Sequence, residues 1–411
     1  MWRSCSTLDS GFTWPGGIRP QRAVRCGEIC WVGGQVDLDA RGSAAHPGDL
    51  HGQIAGAMVN VSSVLAQVGA STDSLVKLLC FYVSDGSVDE ASVLGSIAAA
   101  LPPGVRLAIT AIPVPYAVLP GVLVEIEGYA MAGPDGQPLP RRCARTSSPA
   151  PASPLFVSAV RCGKMIFVSG QSPINGDNRI VMPGRIVDQT RHVMPLIART
   201  LADLGASLQD AVKLNRWYVG HGTVDDFEPA ALACASFFRE PGPAATGIPI
   251  PVLARAGQQI KIELVAMLGE DDQPLPRRYS WPDSLWDWHV HLPYKHGLEC
   301  AGMIFLGGQV ALDKHGTAVS PKDLHAQTQI AMTHIGSILR DLGADYGDTC
   351  KLTTMYESSG AVEVLVGMTR VAQSFFSADP PAATSVALPK LAYPDMVIEI
   401  DAFAMMHPKH E

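Results

Sequence analysis

The chain has 411 residues, of which 47% are hydrophobic and 17% are charged, and its net charge is −8. This composition predicts a globular protein of about three domains, and the absence of a Lys/Arg cluster argues against a nucleic-acid partner. No stretch of about 18 apolar residues is present to cross a membrane. Nine cysteines without a Cys-x-x-Cys pair, and an N-terminus without a signal-peptide core, predict a reduced protein of the cytoplasm.

The first third of the chain shows a regular order of elements. A strand runs into the Gly-Gly-Gln turn at 33–35, and a helix with apolar residues at helical spacing follows at about 50–68. A second strand ends at Tyr82, a second helix covers about 88–100, and a last strand at 124–131 alternates apolar and polar residues. With a short strand before the first, the order β-β-α-β-α-β predicts an α/β (α+β) unit whose sheet carries two helices on one face.

This order of elements occurs three times. The last strand returns at 260–267 and 398–405, and the first helix returns at about 186–204 and 324–342. Single residues recur in the same register, so three copies of one unit are predicted. The recurring residues include Gly34, Gly170 and Gly308, Lys77, Lys213 and Lys351, Tyr82, Tyr218 and Tyr356, and Thr110, Thr246 and Thr384.

The repeats predict domains at 1–132, 153–268 and 291–411, joined by linkers at 133–152 and 269–290 that are rich in Pro, Ser and Arg. Each unit is long enough to fold alone. Three such copies in one chain are expected to close on themselves as an intramolecular pseudo-trimer, with the whole chain monomeric or dimeric.

Several motifs resemble the Rid/YjgF superfamily of enamine and imine deaminases over nearly the whole chain. They are the segment at 159–171, the Gln-Thr-Arg at 189–191, the turn at 204–210 and the Val-Glu-Ile-Glu at 124–127. The resemblance implies a chorismate-mutase-like fold, sites in the clefts between units, and hydrolysis of a reactive enamine or imine to a ketone and ammonia. The sequence contains no phosphate-binding glycine loop, Ser-His-Asp motif or dinucleotide fingerprint, so no cofactor is predicted.

The family's site residues match this chain only in part. The family holds a substrate carboxylate with an arginine in a Pro-Ala-Arg-Ser motif, which reads Pro-Ala-Ala-Thr at 243–246 and 381–384. In the first unit, Arg106 stands four residues before Thr110 and is the candidate to replace it. The family's water-positioning glutamate corresponds to Glu125, Lys261 and Glu399, and its pocket aromatic corresponds to Pro20, Phe156 and Tyr294.

These matches predict which residues act. A carboxylate facing a cleft can move protons during imine hydrolysis, and the recurring threonine hydroxyls can either bind substrate or stabilise a turn. Lys261 is interpreted either as a cation for substrate or as the mark of a dead site, and the dead site is favoured. Glu127, Glu263 and Asp401 are interpreted as structural. The predicted catalytic residues are Glu125 and Glu399, and the predicted substrate-binding residues are Arg106, Thr110, Phe156, Tyr294 and Thr384.

The direction of the ring of units stays open. If each cleft combines the acid of one unit with the aromatic of another, either Glu125 meets Tyr294 and Glu399 meets Phe156, or Glu125 meets Phe156 and Glu399 meets Pro20. Cys26, Cys162 and Cys300 are interpreted as core residues. His289 and His291 form a His-x-His without a third ligand, so no metal site is predicted.

The leading hypothesis is a hydrolase or deaminase of a small-molecule substrate with an enamine, imine or related C–N bond. A non-catalytic ligand-binding or regulatory pseudo-trimer is the alternative, because the family's arginine, glutamate and aromatic positions all vary. A ribonuclease is a third reading, which the net charge of −8 disfavours.

Overall fold

The computed structural model describes residues 2–6, 14–144, 153–377 and 379–407. The first third forms one six-stranded sheet in the order β1-β2-β3-β6-β4-β5, antiparallel except between β4 and β5. Its elements are β1 (Arg3–Cys5), β2 (Ala23–Cys26), β3 (Ile29–Gln35), α1 (Leu50–Gln67), β4 (Leu75–Val83), α2 (Glu90–Ala99), β5 (Ala108–Val114) and β6 (Val124–Met131).

The second third repeats this sheet in the order β11-β10-β12-β9-β8-β7. Only its pair β10 and β11 is parallel. Its elements are β7 (Arg141–Cys143), β8 (Ala159–Cys162), β9 (Met165–Val168), α3 (Ile186–Ala202), β10 (Ala211–Val219), α4 (Val224–Ala235), β11 (Ala244–Ile250) and β12 (Ile260–Met267).

The last third forms the sheet β13-β14-β15-β18-β16-β17, again with one parallel pair, β16 and β17. Its elements are β13 (Arg277–Ser280), β14 (Gly297–Cys300), β15 (Met303–Leu306), α5 (Leu324–Asp341), β16 (Thr349–Glu357), α6 (Val362–Gln373), β17 (Ala382–Leu388) and β18 (Ile398–Met405).

The predicted fold class is confirmed, and each sheet has two strands beyond the predicted order. One is the parallel strand that follows the second helix of each repeat, which was not predicted from the sequence. The other is the first strand of each sheet. In the second and third sheets it comes from the segments predicted as linkers, since Arg141–Cys143 pairs with β8 and Arg277–Ser280 pairs with β14. These strands are short and rich in arginine, so no alternating apolar pattern marks them.

Each helix pair packs on one face of its own sheet. In α1 the apolar positions Ile54, Val61 and Leu65 are buried, and Asp49 accepts a hydrogen bond from the Gly52 amide at the helix start. Among the described residues, no helix combines the length and apolar composition that a membrane crossing needs.

The three sheets contact one another in a ring, as the pseudo-trimer prediction requires. The strand after the second helix of one repeat (β5, β11 or β17) lies against the strand before the Gly-Gln turn of the next repeat (β9, β15 or β3). The Gly170 amide donates to the Ile109 carbonyl at 3.1 Å, and the Gly308 amide donates to the Ala245 carbonyl at 3.2 Å. The third contact runs from the third repeat back to the first, which closes the ring.

Each interface contains one buried ion pair between a recurring lysine and a carboxylate of the next repeat. A threonine hydroxyl hydrogen-bonds to the lysine or to the carboxylate in each case. This arrangement supports the structural interpretation of the three carboxylates. The pairs are Lys77 with Glu263 at 2.7 Å, Lys213 with Asp401 at 2.8 Å, and Lys351 with Glu127 at 2.7 Å.

Candidate functional site

Beside each ion pair, the interface between repeats forms a cleft, and the three clefts hold different residues. The first charged residue of the last strand, Glu125, Lys261 or Glu399, faces the neighbouring repeat in each of them. We refer to them as the Glu125 cleft (third and first repeats), the Lys261 cleft (first and second repeats) and the Glu399 cleft (second and third repeats).

Both predicted pairings of acid and aromatic are wrong, because each acid shares its cleft with the aromatic position of its own repeat. Tyr294 and Glu399 line one cavity. The segment that holds Tyr294 leads into β14 and runs along the neighbour's edge strand, where Lys295 pairs with Ala244. The other two interfaces have the same contact. Phe156 of the second repeat pairs with Leu107 of the first, and Gln21, which follows Pro20, pairs with Ala382 of the third repeat.

Glu399 is 5% exposed and lines a cavity between the second and third repeats. A side chain at Gly308 would overlap its carboxylate, so this turn needs a glycine. Burial raises the pKa of Glu399 to about 8, and the nearby Asp401 charge adds to the rise. Lys213, Arg216 and the Gly247 amide act in the opposite direction. A carboxyl with this pKa can give and take a proton near neutral pH.

Arg216 of β10 faces Glu399's cavity from the second repeat. It is 2% exposed, and within the described chain its Nε and Nη1 have no hydrogen-bond acceptor. Its guanidinium carbon lies 5.2 Å from the centre of the Phe227 ring and 5.8 Å from that of Tyr294. A Cβ at Gly247 would approach its Nη2 to 2.9 Å, so the glycine leaves the space that the guanidinium occupies. A buried cation with free donors is suited to hold an anionic ligand.

Arg216 is a candidate site residue that was not predicted from the sequence. The family's arginine precedes the last strand, whereas this one lies in the middle of a buried strand on the other side of the same cleft. Alignment of the three repeats could have identified it. Arg216 aligns with Cys80 and Thr354, so the second repeat has a cation where the other two repeats have an uncharged residue.

Aromatic side chains form much of the remaining wall of the Glu399 cleft. Tyr218, the penultimate residue of β10, is buried nearby and its hydroxyl has no hydrogen-bond partner among the described residues. The aromatic lining consists of Phe227, Trp286, Trp288, Tyr294 and Tyr393.

The Glu125 cleft keeps the acid but not the cation. Glu125 is 6% exposed, the Ser385 amide donates to its Oε1 at 3.5 Å, and burial together with the Glu127 charge raises its pKa to about 8. Thr354 stands where the Glu399 cleft has Arg216, and Pro20 stands where that cleft has Tyr294. An anionic substrate would therefore find a proton donor here but no arginine at the matching position.

The Lys261 cleft is occupied by the protein itself. The Lys261 ammonium pairs with Glu90 of the first repeat at 2.6 Å and donates to the Ala111 carbonyl at 2.8 Å. Its side chain is 3% exposed. At this position the strand carries a lysine that is paired with Glu90, where the other two clefts have a glutamate.

The other predicted substrate-binding residues lie elsewhere. Thr110 donates to Glu263, and Thr384 accepts from Lys351 at 2.6 Å, so both hydroxyls belong to the ion-pair network. Arg106 donates to the Val105 carbonyl at 3.0 Å on the side of the first repeat that faces the second, away from Glu125. Phe156 is packed in the core of the first repeat.

The remaining candidates behave as core or surface residues. Cys26, Cys162 and Cys300 are buried, as predicted. His289 pairs with Glu228 and His291 pairs with Glu240, both at the surface. Within the part of the chain that the structure describes, no group of three or more His, Cys, Asp or Glu side chains is placed to hold a metal ion.

Comparison with known proteins gives three matches to one family. The family described as endoribonuclease L-PSP matches residues 20–132, 146–268 and 289–406. A RutC family protein of Pyrococcus abyssi is 30% identical over 120 residues, which cover 29% of this chain and 89% of that protein. The 3-aminoacrylate deaminase RutC of Acinetobacter baylyi is 32% identical over 97 residues, covering 24% of this chain and 74% of that protein.

One solved structure matches most of the chain at once. A chorismatase crystal structure superimposes with a TM-score of 0.54 and 15% identity, covering 81% of this chain and 93% of that one. At this level of identity the likeness concerns the fold.

Proposed function

Because the chain belongs to the endoribonuclease L-PSP family, the group that its motifs identify as Rid/YjgF, we propose that it is a cofactor-independent hydrolase of a small enamine or imine. The observation that carries this proposal is the presence in one cavity of Glu399, whose pKa is raised to about 8, and of Arg216, whose Nε and Nη1 have no hydrogen-bond acceptor among the described residues. One group can exchange protons near neutral pH, and the other can hold an anion.

In the proposed reaction, a substrate carboxylate accepts hydrogen bonds from Arg216. Neutral Glu399 donates its proton to the enamine carbon or the imine nitrogen, which gives an iminium ion. The resulting carboxylate then takes a proton from water while the water oxygen attacks the iminium carbon. Glu399 next protonates the nitrogen of this adduct, the C–N bond breaks, and the hydroxyl proton returns to Glu399. The products are a carbonyl compound and ammonia.

The similarity to a 3-aminoacrylate deaminase supports this chemistry, because 3-aminoacrylate is an enamine that carries a carboxylate. The three clefts are not equivalent in the proposal. The Glu399 cleft has both groups, the Glu125 cleft has only the acid and is proposed as a weaker second site, and the Lys261 cleft is inactive. We also propose a cytoplasmic location, which is supported by the free state of all nine cysteines.

Ammonia release from enamines and imines generated in situ tests the proposal. Wild-type protein should accelerate the release, and Glu399→Gln should remove most of the acceleration. Glu125→Gln is the matched control, since it makes the same change in the cleft without the arginine. Equal rates for wild type and Glu399→Gln with every substrate that is turned over would exclude the proposed role.

Two other functions predict different experimental results. A non-catalytic ligand-binding protein would bind small carboxylates through Arg216 without releasing ammonia from any substrate. A ribonuclease, which the family description names, would degrade RNA. The net charge of −8 would repel the negatively charged phosphate backbone of RNA.

A further inference from the structure

We propose that the ligand of the Glu399 cleft is a carboxylate that carries a planar ring, and that the segment between the second and third repeats selects it. This inference rests on the function proposed for that cleft and names the substrate class. It follows from the aromatic wall beside Arg216 and from the way this wall is held.

The wall combines side chains from both repeats. Trp286, Trp288 and Tyr294 come from the segment before β14, Phe227 comes from α4, and Tyr393 comes from the loop before β18. Their rings meet at angles typical of aromatic clusters. Trp286 and Trp288 have centroids 4.9 Å apart, and those of Phe227 and Tyr393 are 5.4 Å apart. The cavity therefore presents ring faces and edges to a ligand whose carboxylate is held at Arg216.

The tryptophan segment is held in place by polar contacts. The Trp286 indole N–H donates to Gln309 Oε1 at 3.2 Å, and the His296 ring contacts the Trp286 carbonyl at 3.0 Å. Trp281 stacks on His296 at 4.0 Å. Farther along, His289 pairs with Glu228 of the second repeat at 3.0 Å, which ties the segment across the cleft. Such fixed rings need little ordering when a ligand binds.

The Glu125 cleft is an internal comparison. The segment that enters it from the first repeat carries Pro20 and Gln21, and the cavity beside it is lined by aliphatic and small polar side chains and Phe376. Trp14 stands in the register of Trp288, whereas Pro20 stands where the Glu399 cleft has Tyr294. Among the described residues the two clefts therefore differ at the position of Tyr294, and this difference predicts the stronger ring preference in the Glu399 cleft.

Binding of unreactive acids tests the substrate class apart from the reaction. Calorimetry with phenylpyruvate and with pyruvate should show tighter binding of phenylpyruvate by roughly tenfold or more. Trp288→Leu should weaken phenylpyruvate binding by a similar factor and leave pyruvate binding unchanged. Trp288 is half-buried, so this variant is expected to fold. Phe376→Leu in the Glu125 cleft is the matched control and should change neither affinity.

Turnover separates this inference from the proposed function. Imines formed in situ from phenylalanine should be hydrolysed with a higher kcat/KM than those from alanine, and Trp288→Leu should remove the difference. Glu399-dependent hydrolysis of aliphatic imines without any preference for rings would overturn the ring inference and leave the hydrolase proposal standing. Ring-selective binding that depends on Trp288, without Glu399-dependent turnover, would support the ligand class and refute the hydrolase.

Discussion

Lys261 of the second repeat and Glu90 of the first repeat form an ion pair of 2.6 Å that occupies one of the three clefts. At the same position the other two repeats carry Glu125 and Glu399, each of which faces its cleft as a buried acid whose pKa is raised to about 8. One substitution in a thrice-repeated strand therefore converts a cleft with a proton donor into a contact that joins two repeats.

Glu90→Gln is expected to lower the free energy of unfolding by about 1–3 kcal/mol, because it leaves the Lys261 ammonium buried without its counter-charge. The loss is below that of a fully buried pair, since the Glu90 side chain is 23% exposed. Urea denaturation measures it. Glu363→Gln, in the first turn of α6 and exposed, is the control and should change stability little. Equal stability of Glu90→Gln and wild type would show that the pair contributes nothing.

Arg216→Thr introduces the residue type that the Glu125 cleft has at this position, Thr354. It should lower the activity without lowering the stability. Loss of hydrogen bonds to a charged ligand group is expected to cost about 1.5–3 kcal/mol, or roughly 10–150-fold in kcat/KM for a carboxylate substrate. The melting temperature is expected to stay the same or rise, because the change removes a buried cation whose Nε and Nη1 have no hydrogen-bond acceptor among the described residues. An uncharged amide analogue of the substrate should lose little. A variant that loses activity and stability together would contradict a ligand-binding role.

The activity should fall as pH rises through about 8, the pKa of Glu399. The proposed first step needs the neutral carboxyl, and this form is lost above its pKa. The kcat/KM profile with a substrate that does not titrate in this range measures the effect. Glu125→Gln should keep the inflection, since Glu399 is intact. An inflection that persists in the residual activity of Glu399→Gln would have to come from another group.

Glu399 should also make the folded state less stable as pH rises from about 5 to about 8. Between its ordinary pKa and its raised pKa, the folded protein holds a proton that the unfolded chain has released, so a rise in pH favours unfolding. Each unit of pKa shift corresponds to about 1.4 kcal/mol. Denaturation at several pH values should show a smaller decrease for Glu399→Gln than for wild type, and identical slopes would contradict the raised pKa.

Lys213→Met is expected to destabilise the protein by about 3–5 kcal/mol, because it leaves Asp401 buried and uncompensated between two repeats. The double variant Lys213→Met/Asp401→Leu removes both charges and should recover part of the loss. Chemical denaturation of the single and double variants measures the difference. A double variant that is less stable than the single one would mean that Asp401 is stabilised by partners other than Lys213.

Much of the fold follows from periodicity. The three last strands lie at the predicted residues, and the long helices end within two residues of their predicted ends, because apolar alternation and helical spacing are local properties. The extra strands were missed for the same reason. Arg141–Cys143 becomes a strand through its pairing with β8, not through a pattern of its own.

The candidate site could be predicted only in part. Glu125, Glu399 and the exception at Lys261 were found by aligning the copies. Arg106 was expected near the acid, but it lies at the other interface of the first repeat, and Arg216 takes the place beside Glu399. Thr110 and Thr384 recur as predicted, yet their hydroxyls are used by the buried ion pairs.

The amino-acid sequence by itself determined that the chain consists of three copies of one unit, which residues recur in all copies, and where one copy departs from the others. A repeat can be recognised from the order of residues along the chain, without knowledge of which residues are in contact. Only the tertiary structure decided which groups face one another, since every cleft joins two repeats whose residues are far apart in sequence. Glu399 shares its cleft with Tyr294 of its own repeat and Arg216 of the preceding one, because the segment before β14 lies along the neighbour's edge strand.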